Sequence, residues 1–495
     1  MKFFKYSYLL ILLSFVVSCT DEDITLSSPG DFEFESYFNN EDEFNKALLG
    51  TYNSFKGIDI YSGSGSSSDL IIVPDLLADN LILSGDGRGS NREGHNWLYN
   101  SGSTPTNIYS GAYEMIARAN LILENIENLS DEDFPSREQV RAEALALRAI
   151  GHFEVARHYV KIPTQSSDAN SFIGIAYIDF FDPYAQPSRL PTVQESYARI
   201  MTDLETALNS NALPTSVVSG RLSKPAVQAI IGRVALYMGD YPKVISMLTP
   251  VVSSIAPTPA TDIQGFWRCL NSNGSIFEVP MFFGGGIPAG GDPHIGSNYS
   301  QGNNNQNMAI EYSVDKAFRD LYNDSTEPQR IQAFFRVIKE QYVVWKYVQT
   351  ASGVNPYGRY MRVEEAILSL AEAQYLNGNQ GGALTTLDIL RDARYSSYAG
   401  GETGDALFDA IQLERRKELA FEGDRWFTIK RLLGVPGIPS QYSQGIVRSG
   451  NGYLANGSGA ASAEQVLPAN SHKWQLPLSF NTLLFDPNIG QTPGY

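Results

Sequence analysis

Apolar residues recur at helical spacing over most of this chain, and the densest pattern lies near its end. Over Leu413–Leu433, LERRKELAFEGDRWFTIKRLL, one line runs Leu413, Ala420, Phe427 and a second Leu419, Trp426, Leu433. They form two neighbouring stripes of one proline-free helix, which Gly434 and Pro436 stop. The same stretch carries Glu414, Glu418 and Glu422 on one ladder, with Lys417 and Arg425 each three residues after a glutamate, a spacing at which helix side chains meet. Charges this dense beside a core need partners, so these five residues read as structural ion pairs. Two carboxylates beside a tryptophan also suggest glycoside hydrolysis. Glu418 and Glu422, however, stand one turn apart on one helix, whereas glycosidase carboxyls flank the scissile bond from opposite sides.

Earlier in the chain the first helical pattern spans 41–55, on Phe44, Leu48, Tyr52 and Phe55. The next starts only at Tyr109, after a segment, Lys56–Ile108, rich in Gly, Ser, Asn and Asp; loops of that length are usually functional or disordered. Helices are then predicted over Tyr109–Leu129, Arg137–Val160, Val193–Leu208 and Lys224–Met238, and after an interruption over Val363–Gly378 and Gly382–Tyr395. Small residues at Ala112, Ala119, Ala144, Ala149, Ala226 and Gly232 let neighbouring helices approach, as in tetratricopeptide-type antiparallel pairs. The expected fold is mostly α: a tetratricopeptide-like helical superhelix with an irregular, loop-rich second layer. One domain, 41–495, would hold helical pairs over about 41–248 and 361–433, an irregular insertion at 249–360 and a C-terminal docking tail at 470–495.

The first residues change the picture of location. Lys2 and Lys5 precede an almost wholly apolar run, Tyr8–Val17, too short to span a bilayer comfortably, and Val16-Val17-Ser18-Cys19 then forms a small-residue cleavage site ending in cysteine. This resembles a bacterial lipobox, which implies a signal peptide over 1–18, lipidation of Cys19, and a membrane contact made by the lipid alone. Residues 19–40 then form a linker whose acidic start, Thr20-Asp21-Glu22-Asp23, resembles the export tag of surface lipoproteins in Bacteroidetes. The formal charge of −17 falls to −19 without Lys2 and Lys5. An acidic surface argues against nucleic acid and favours a neutral or cationic ligand. Only Cys269 remains beyond Cys19, so no disulfide framework is expected.

Candidate chemistry is sparse. The five histidines, His95, His152, His158, His294 and His472, show no metal-ligand spacing, and no nucleophile elbow, phosphate loop or dinucleotide fingerprint occurs. No catalytic residue, metal or cofactor is therefore expected. Ligand capture asks for less: an aromatic face and fixed polar groups. Two segments have that composition. One is the loop 79–107, with Asp79, Asn80, Asp86, Arg88, Asn91, Trp97, Tyr99 and Asn100 among glycines; here Trp97 either offers a face to ligand or plugs the loop onto the helices. The other is Phe282–Tyr312, where Tyr299 sits among asparagines suited to hydroxyl-rich ligands, or else forms part of a loop touching a partner. Trp267, Trp345 and Trp474 read as packing residues.

The terminal pattern resembles the signature helix of SusD/RagB-like lipoproteins, ER-x-x-EL-x-FEG-x-R, in Glu414, Arg415, Glu418, Leu419, Phe421, Glu422, Gly423, Arg425 and Arg431; Thr428 stands where an acid is usual. The resemblance extends through Ala119-Asn120, Glu143-Ala144 with Leu147-Arg148-Ala149, Gly239-Asp240-Tyr241, Ala371-Glu372-Ala373 and the closing Pro493-Gly494-Tyr495. It implies a non-hydrolytic surface lipoprotein of the outer membrane that captures a nutrient, most often a glycan, and delivers it to a SusC-like TonB-dependent transporter. It also implies a ligand site on the loop before the Ala119-Asn120 helix, with Trp97 as its aromatic. A peptide-binding RagB-type protein and a structural lid gating the transporter are the alternatives, with a surface hydrolase behind them.

Overall fold

The computed structural model describes residues 37–57, 60–61, 68–281, 295, 299, 309–348 and 356–495. The expectations for Cys19, the signal peptide, the acidic start of the linker and most of Phe282–Tyr312 lie outside these residues.

Helix α1 (Glu41–Asn53) opens the described chain, with Asn40 as its cap, accepting the Glu43 N–H. It leans on α2 (Ile108–Asn125) and α3 (Arg137–Tyr159), and the series continues through α4 (Val193–Asn209), α5 (Lys224–Met238) and α6 (Tyr241–Ser254), each packed on the one before. The helix starts carry side-chain acceptors: Thr192 for α4, Ser223 for α5 and Asp240 for α6 each bond an otherwise unpartnered N–H three residues on. Between α5 and α6 the chain turns at Gly239, in the left-handed region at φ 76°. Close approach rests on small residues. A Cβ at Gly151 would press on Ile116 of α2, and one at Gly232 would collide with Leu248 of α6.

The superhelix does not stop where the sequence breaks off. Helix α6 packs directly against α7 (Val363–Leu376), which pairs with α8 (Gln380–Asp392) and α9 (Gly404–Glu418). The chain between α6 and α7 loops out as the second layer. Helix α6 runs to Ser254 despite Pro250, so the insertion starts later than the expected 249. The layer is built from short antiparallel pairs: β1 (Leu81–Leu83) with β3 (Tyr312–Val314), β2 (Ser275–Val279) with β6 (Gly358–Arg362), β4 (Phe335–Ile338) with β5 (Gln341–Val344), and β7 (Gly445–Val447) with β8 (Val466–Pro468). The fold is thus mostly α, helical pairs with an irregular second layer.

One expected element is corrected. Leu413–Leu433 is two helices, α9 ending at Glu418 and α10 (Arg425–Leu432), separated by a turn in which Phe421 and Gly423 both have left-handed φ, 66° and 77°. The carbonyls that would continue the helix are taken by side chains. Tyr322 donates to the Lys417 carbonyl at 2.7 Å, and Arg362 and Lys346 donate to that of Glu418 at 2.8 and 3.1 Å. At Gly423 the N–H donates to Asp75 Oδ2 at 2.9 Å, and a Cβ would collide with the Leu70 carbonyl oxygen. Leu413, on α9, faces solvent, whereas Leu419, Ala420, Trp426 and Phe427 are buried.

Candidate functional site

The charges of the broken helix come first, because a free carboxylate among them would be chemistry. Each is paired with partners from other elements; Glu414, Lys417 and Glu418 are buried, and Glu422 and Arg425 partly so. Glu418 accepts from Arg362 and Arg394 at 2.8 Å and from Arg330 at 3.1 Å, Glu414 pairs with Arg330, and Glu422 accepts from Lys346 at 2.6 Å and Arg362 at 2.8 Å. Lys417 binds Glu327 and Arg425 binds Asp79 at 2.8 Å, so the three-residue pairings expected along the ladder are replaced by longer-range ones. Burial alone would raise the Glu418 carboxyl, yet Arg394, Arg362 and Arg330 hold it well below the usual carboxylate range. A carboxylate so held is neither a proton donor nor free to attack. Thr428, where the signature has an acid, accepts from Arg415 Nε at 3.0 Å and donates to Asp424 Oδ2 at 2.8 Å; Asp424 supplies the carboxylate for Arg415. Beside this network Arg157, Arg233, Arg362, Glu422 and Asp424 line a cavity of about 30 Å³, the size of one water and too small for a sugar.

The loop 79–107 is positioned by the same network. Asp79 holds Arg425 and Arg416, the latter at 3.1 Å, and the fully buried Asn80 accepts from Arg416 Nε at 2.9 Å. Burial opposes ionisation of Asp79, but Arg416 and Arg425 prevail and lower its pKa. Both side chains are held by arginines of the broken helix. Trp97 is buried: its indole N–H donates to the Leu77 carbonyl at 2.9 Å, and the Arg448 guanidinium lies 4.0 Å from its ring centroid. Of the two sequence readings for Trp97, the plug is the one this geometry matches. Next to it His95, its pKa lowered to about 3 by burial and by Arg448, contacts the Leu76 carbonyl and Ser462 Oγ as a neutral ring.

Tyr99 is buried likewise, donating to the Lys473 carbonyl, while Lys473 Nζ donates to the Tyr99 carbonyl at 2.6 Å. Tyr299 is buried against Tyr347 and Phe421, its hydroxyl 3.3 Å from Asp75 Oδ2. The aromatic faces expected to stack on ligand are therefore covered by protein at Trp97, Tyr99 and Tyr299. Asn91 is half-buried in the left-handed region, just before the short helix Arg92–His95.

Among the residues the loop leaves in solvent are Asp86, which pairs with Lys339 at 2.7 Å, Arg88, which pairs with the buried Glu311 at 2.8 Å, and Arg92, Glu93, Leu98 and Asn100. Helix α11 (Phe480–Phe485) is bonded to this loop: the Phe480 N–H donates to the Ser101 carbonyl at 2.9 Å, and Gln491 Nε2 donates to Ser101 Oγ at 2.8 Å. Ser479 caps α11, accepting the Thr482 N–H at 3.1 Å. Phe480, Leu484 and Phe485 stand 64, 63 and 78 % exposed, and Leu98 58 %. Asn488 Nδ2 ties this tail to the Gln186 carbonyl, two residues from Tyr184, which is 90 % exposed. Loop and tail, joined through Ser101, thus expose several large apolar side chains alongside charged and polar ones. The sequence carried a signal for this, the run Phe480, Leu483, Leu484, Phe485 after a capping serine, within the stretch 470–495 read as a docking tail.

A family model described as starch-binding and associating with the outer membrane matches residues 80–236, and a second, described as the SusD family, matches 297–495. The chain belongs to the SusD/RagB-like family. The two matched stretches include the loop and its helix on one side, and the broken helix and tail on the other. A curated relative of this SusD-like chain, SusD-like protein P2 of Formosa agariphila, is 25 % identical over 483 residues, covering 87 % of this chain and 91 % of the relative. Among solved structures, a SusD superfamily protein of Bacteroides thetaiotaomicron superposes with a TM-score of 0.75 at 22 % identity, over 92 % of this chain and 100 % of that one. Surface glycan-binding protein A of Bacteroides uniformis superposes with a TM-score of 0.70 at 18 % identity, over 91 and 97 %. At these identities the superpositions speak for the fold.

Proposed function

We propose that this SusD-like protein is a cell-surface binding lipoprotein, held in the outer membrane by a lipid on Cys19, that captures a glycan and delivers it to a SusC-like TonB-dependent transporter. It binds and does not catalyse, because Glu414, Glu418 and Glu422 are locked among arginines and lysine rather than facing one another across a cleft. The observation that carries the reading is the surface shared by the loop and α11, in a chain whose family model for 80–236 is described as starch-binding. There Phe480 and Phe485 offer exposed rings for the apolar face of a sugar, and Asn100, Arg88 and Asp86 stand on the same loop to read hydroxyls. Calorimetric titration of the full chain, as detergent-solubilised lipoprotein, with soluble glycans and with peptide digests tests this. Glycan affinity that falls in Phe485→Ala supports the reading; binding of peptides alone overturns it.

A further inference from the structure

A cleft of about 720 Å³ opens between the turn at 215–217, Pro225 at the start of α5, the end of α6 at Ser254–Pro259 and the entry to β2 at Ser272–Ser275. No residue of the loop 79–107 or of the tail lines it, and its volume lies in the range of small-molecule sites, about 300–1,000 Å³. The walls are of two kinds. Proline rings at 225, 257 and 259 with Ile255 and Val217 give apolar faces, and Thr215, Ser216, Ser254, Ser272 and Asn273 give neutral donors and acceptors. No lining side chain is charged.

The floor is fixed. Gly274 has φ 77°, and a Cβ there would lie 2.9 Å from Thr258 Oγ1. The Thr258 hydroxyl donates to the Asn273 carbonyl at 2.6 Å and its N–H to Glu364 at 2.9 Å; Glu364 in turn accepts from Arg394, the partner of Glu418. At the rim the hydroxyls of Ser219 and Ser272 donate to the two-sided acceptor Glu278 Oε1 at 2.8 and 3.0 Å, and Arg359 neutralises that carboxylate. One group in this built wall lacks a partner among the described residues. Ser275 is 5 % exposed, its Oγ is buried without a hydrogen bond, and it lines the cleft. An unmet buried hydroxyl is costly, and each instance in a native structure asks for an explanation.

We propose that this cleft is a second binding site, taking an uncharged, hydroxyl-rich segment, a stretch of neutral oligosaccharide, with Ser275 Oγ and Asn273 as recognition groups. The proposal rests on the glycan reading above. Sugar C–H faces match the proline rings, and sugar hydroxyls match the hydroxyl and amide lining. A uronic or sulfated sugar would leave water without a countercharge in the wall. Two sites on one rigid body would hold one polysaccharide chain by avidity, the second contact being intramolecular.

The test is calorimetric titration of the full lipoprotein with neutral gluco-, manno- and xylo-heptaoses, and with oligogalacturonate as the charged counterpart. Ala256→Trp fills the cleft from an exposed position, and Ser275→Val removes the unpartnered hydroxyl at a strand position that suits valine. Ser275→Val is expected to keep or raise Tm while lowering neutral-oligosaccharide affinity at the cleft about threefold to tenfold, and Ala256→Trp to remove that binding event. A structural role alone for Ser275 would leave affinity unmoved. Phe485→Ala should spare the cleft event. If both cleft variants bind as the parent does while Phe485→Ala loses binding, the second site is wrong and the glycan reading stands. If the parent binds no neutral oligosaccharide, the second site is wrong; if it binds no charged glycan either, the glycan reading falls with it.

Discussion

Glu418 is buried with three arginines within 3.1 Å, whereas Phe485 holds its ring 78 % exposed. Residue type alone would have put each in the other's place. The end of α9 and the turn after it bury charge because cations converge there from distant segments, Arg330, Lys346 and Arg362 from the second layer and Arg394 just after α8, while Asp424 pairs with Arg415 of α9 itself. The tail helix leaves rings in solvent because α11 is short: Leu483 packs on the core and backbone and amide bonds tie it to Ser101, while Phe480, Leu484 and Phe485 stay exposed. Partner supply, more than polarity, divides inside from outside here. In the first region the side chains are held by the fold, and in the second they stand in solvent.

Substitutions can break that contrast. The largest effect is expected from Glu418→Ala, which removes the carboxylate shared by Arg394, Arg362 and Arg330 and leaves Arg394 with Glu364 and Arg362 with Glu422; it should cost about 3–5 kcal/mol, read as a lowered urea midpoint. Trp97→Ala should behave like a core truncation, costing roughly 3 kcal/mol, with any affinity loss tracking the loss of fold; a variant of unchanged Tm and abolished binding would restore Trp97 to the ligand site. Gly423→Ala places a Cβ in a left-handed turn against the Leu70 carbonyl and should cost about 1–3 kcal/mol by the same denaturation. Phe485→Ala should change stability by less than about 0.5 kcal/mol while weakening glycan binding.

A subtler test uses pH. Burial raises Asp75 from 3.8 to about 7, its Oδ2 accepting the Gly423 N–H. The folded state thus holds this proton more tightly than the unfolded chain, and the contribution is full below about pH 4 and lost as pH rises through about 7. Asp75→Asn should remove that decline, so its Tm relative to the parent should climb between pH 4 and 8. A constant offset would show that Asp75 is already ionised across this window.

Much of the helical layer was legible because it is local. Periodicity and capping residues lie within a turn or two of the helices they define, and Lys224–Met238 follows them at both ends. The break at 419–424 was not legible. Phe421 takes a positive φ because Tyr347, Tyr299, Phe318 and Phe335 enclose it, and these come from the second layer. Trp97 was ambiguous for the same reason, since the guanidinium that covers it belongs to Arg448. The charge ladder located the paired residues, but their partners, Glu327 for Lys417 and Asp79 for Arg425, lie far along the chain.

The direct seating of α6 on α7 also sets an order of events. Helix α6 is complete more than a hundred residues before α7 has emerged, so the growing superhelix waits with one flank uncovered. Closing so long a loop slows folding, and an uncovered flank invites wrong contacts meanwhile. The irregular layer is thus also a delay line, and shortening it would be expected to hasten the joining of the two helical halves.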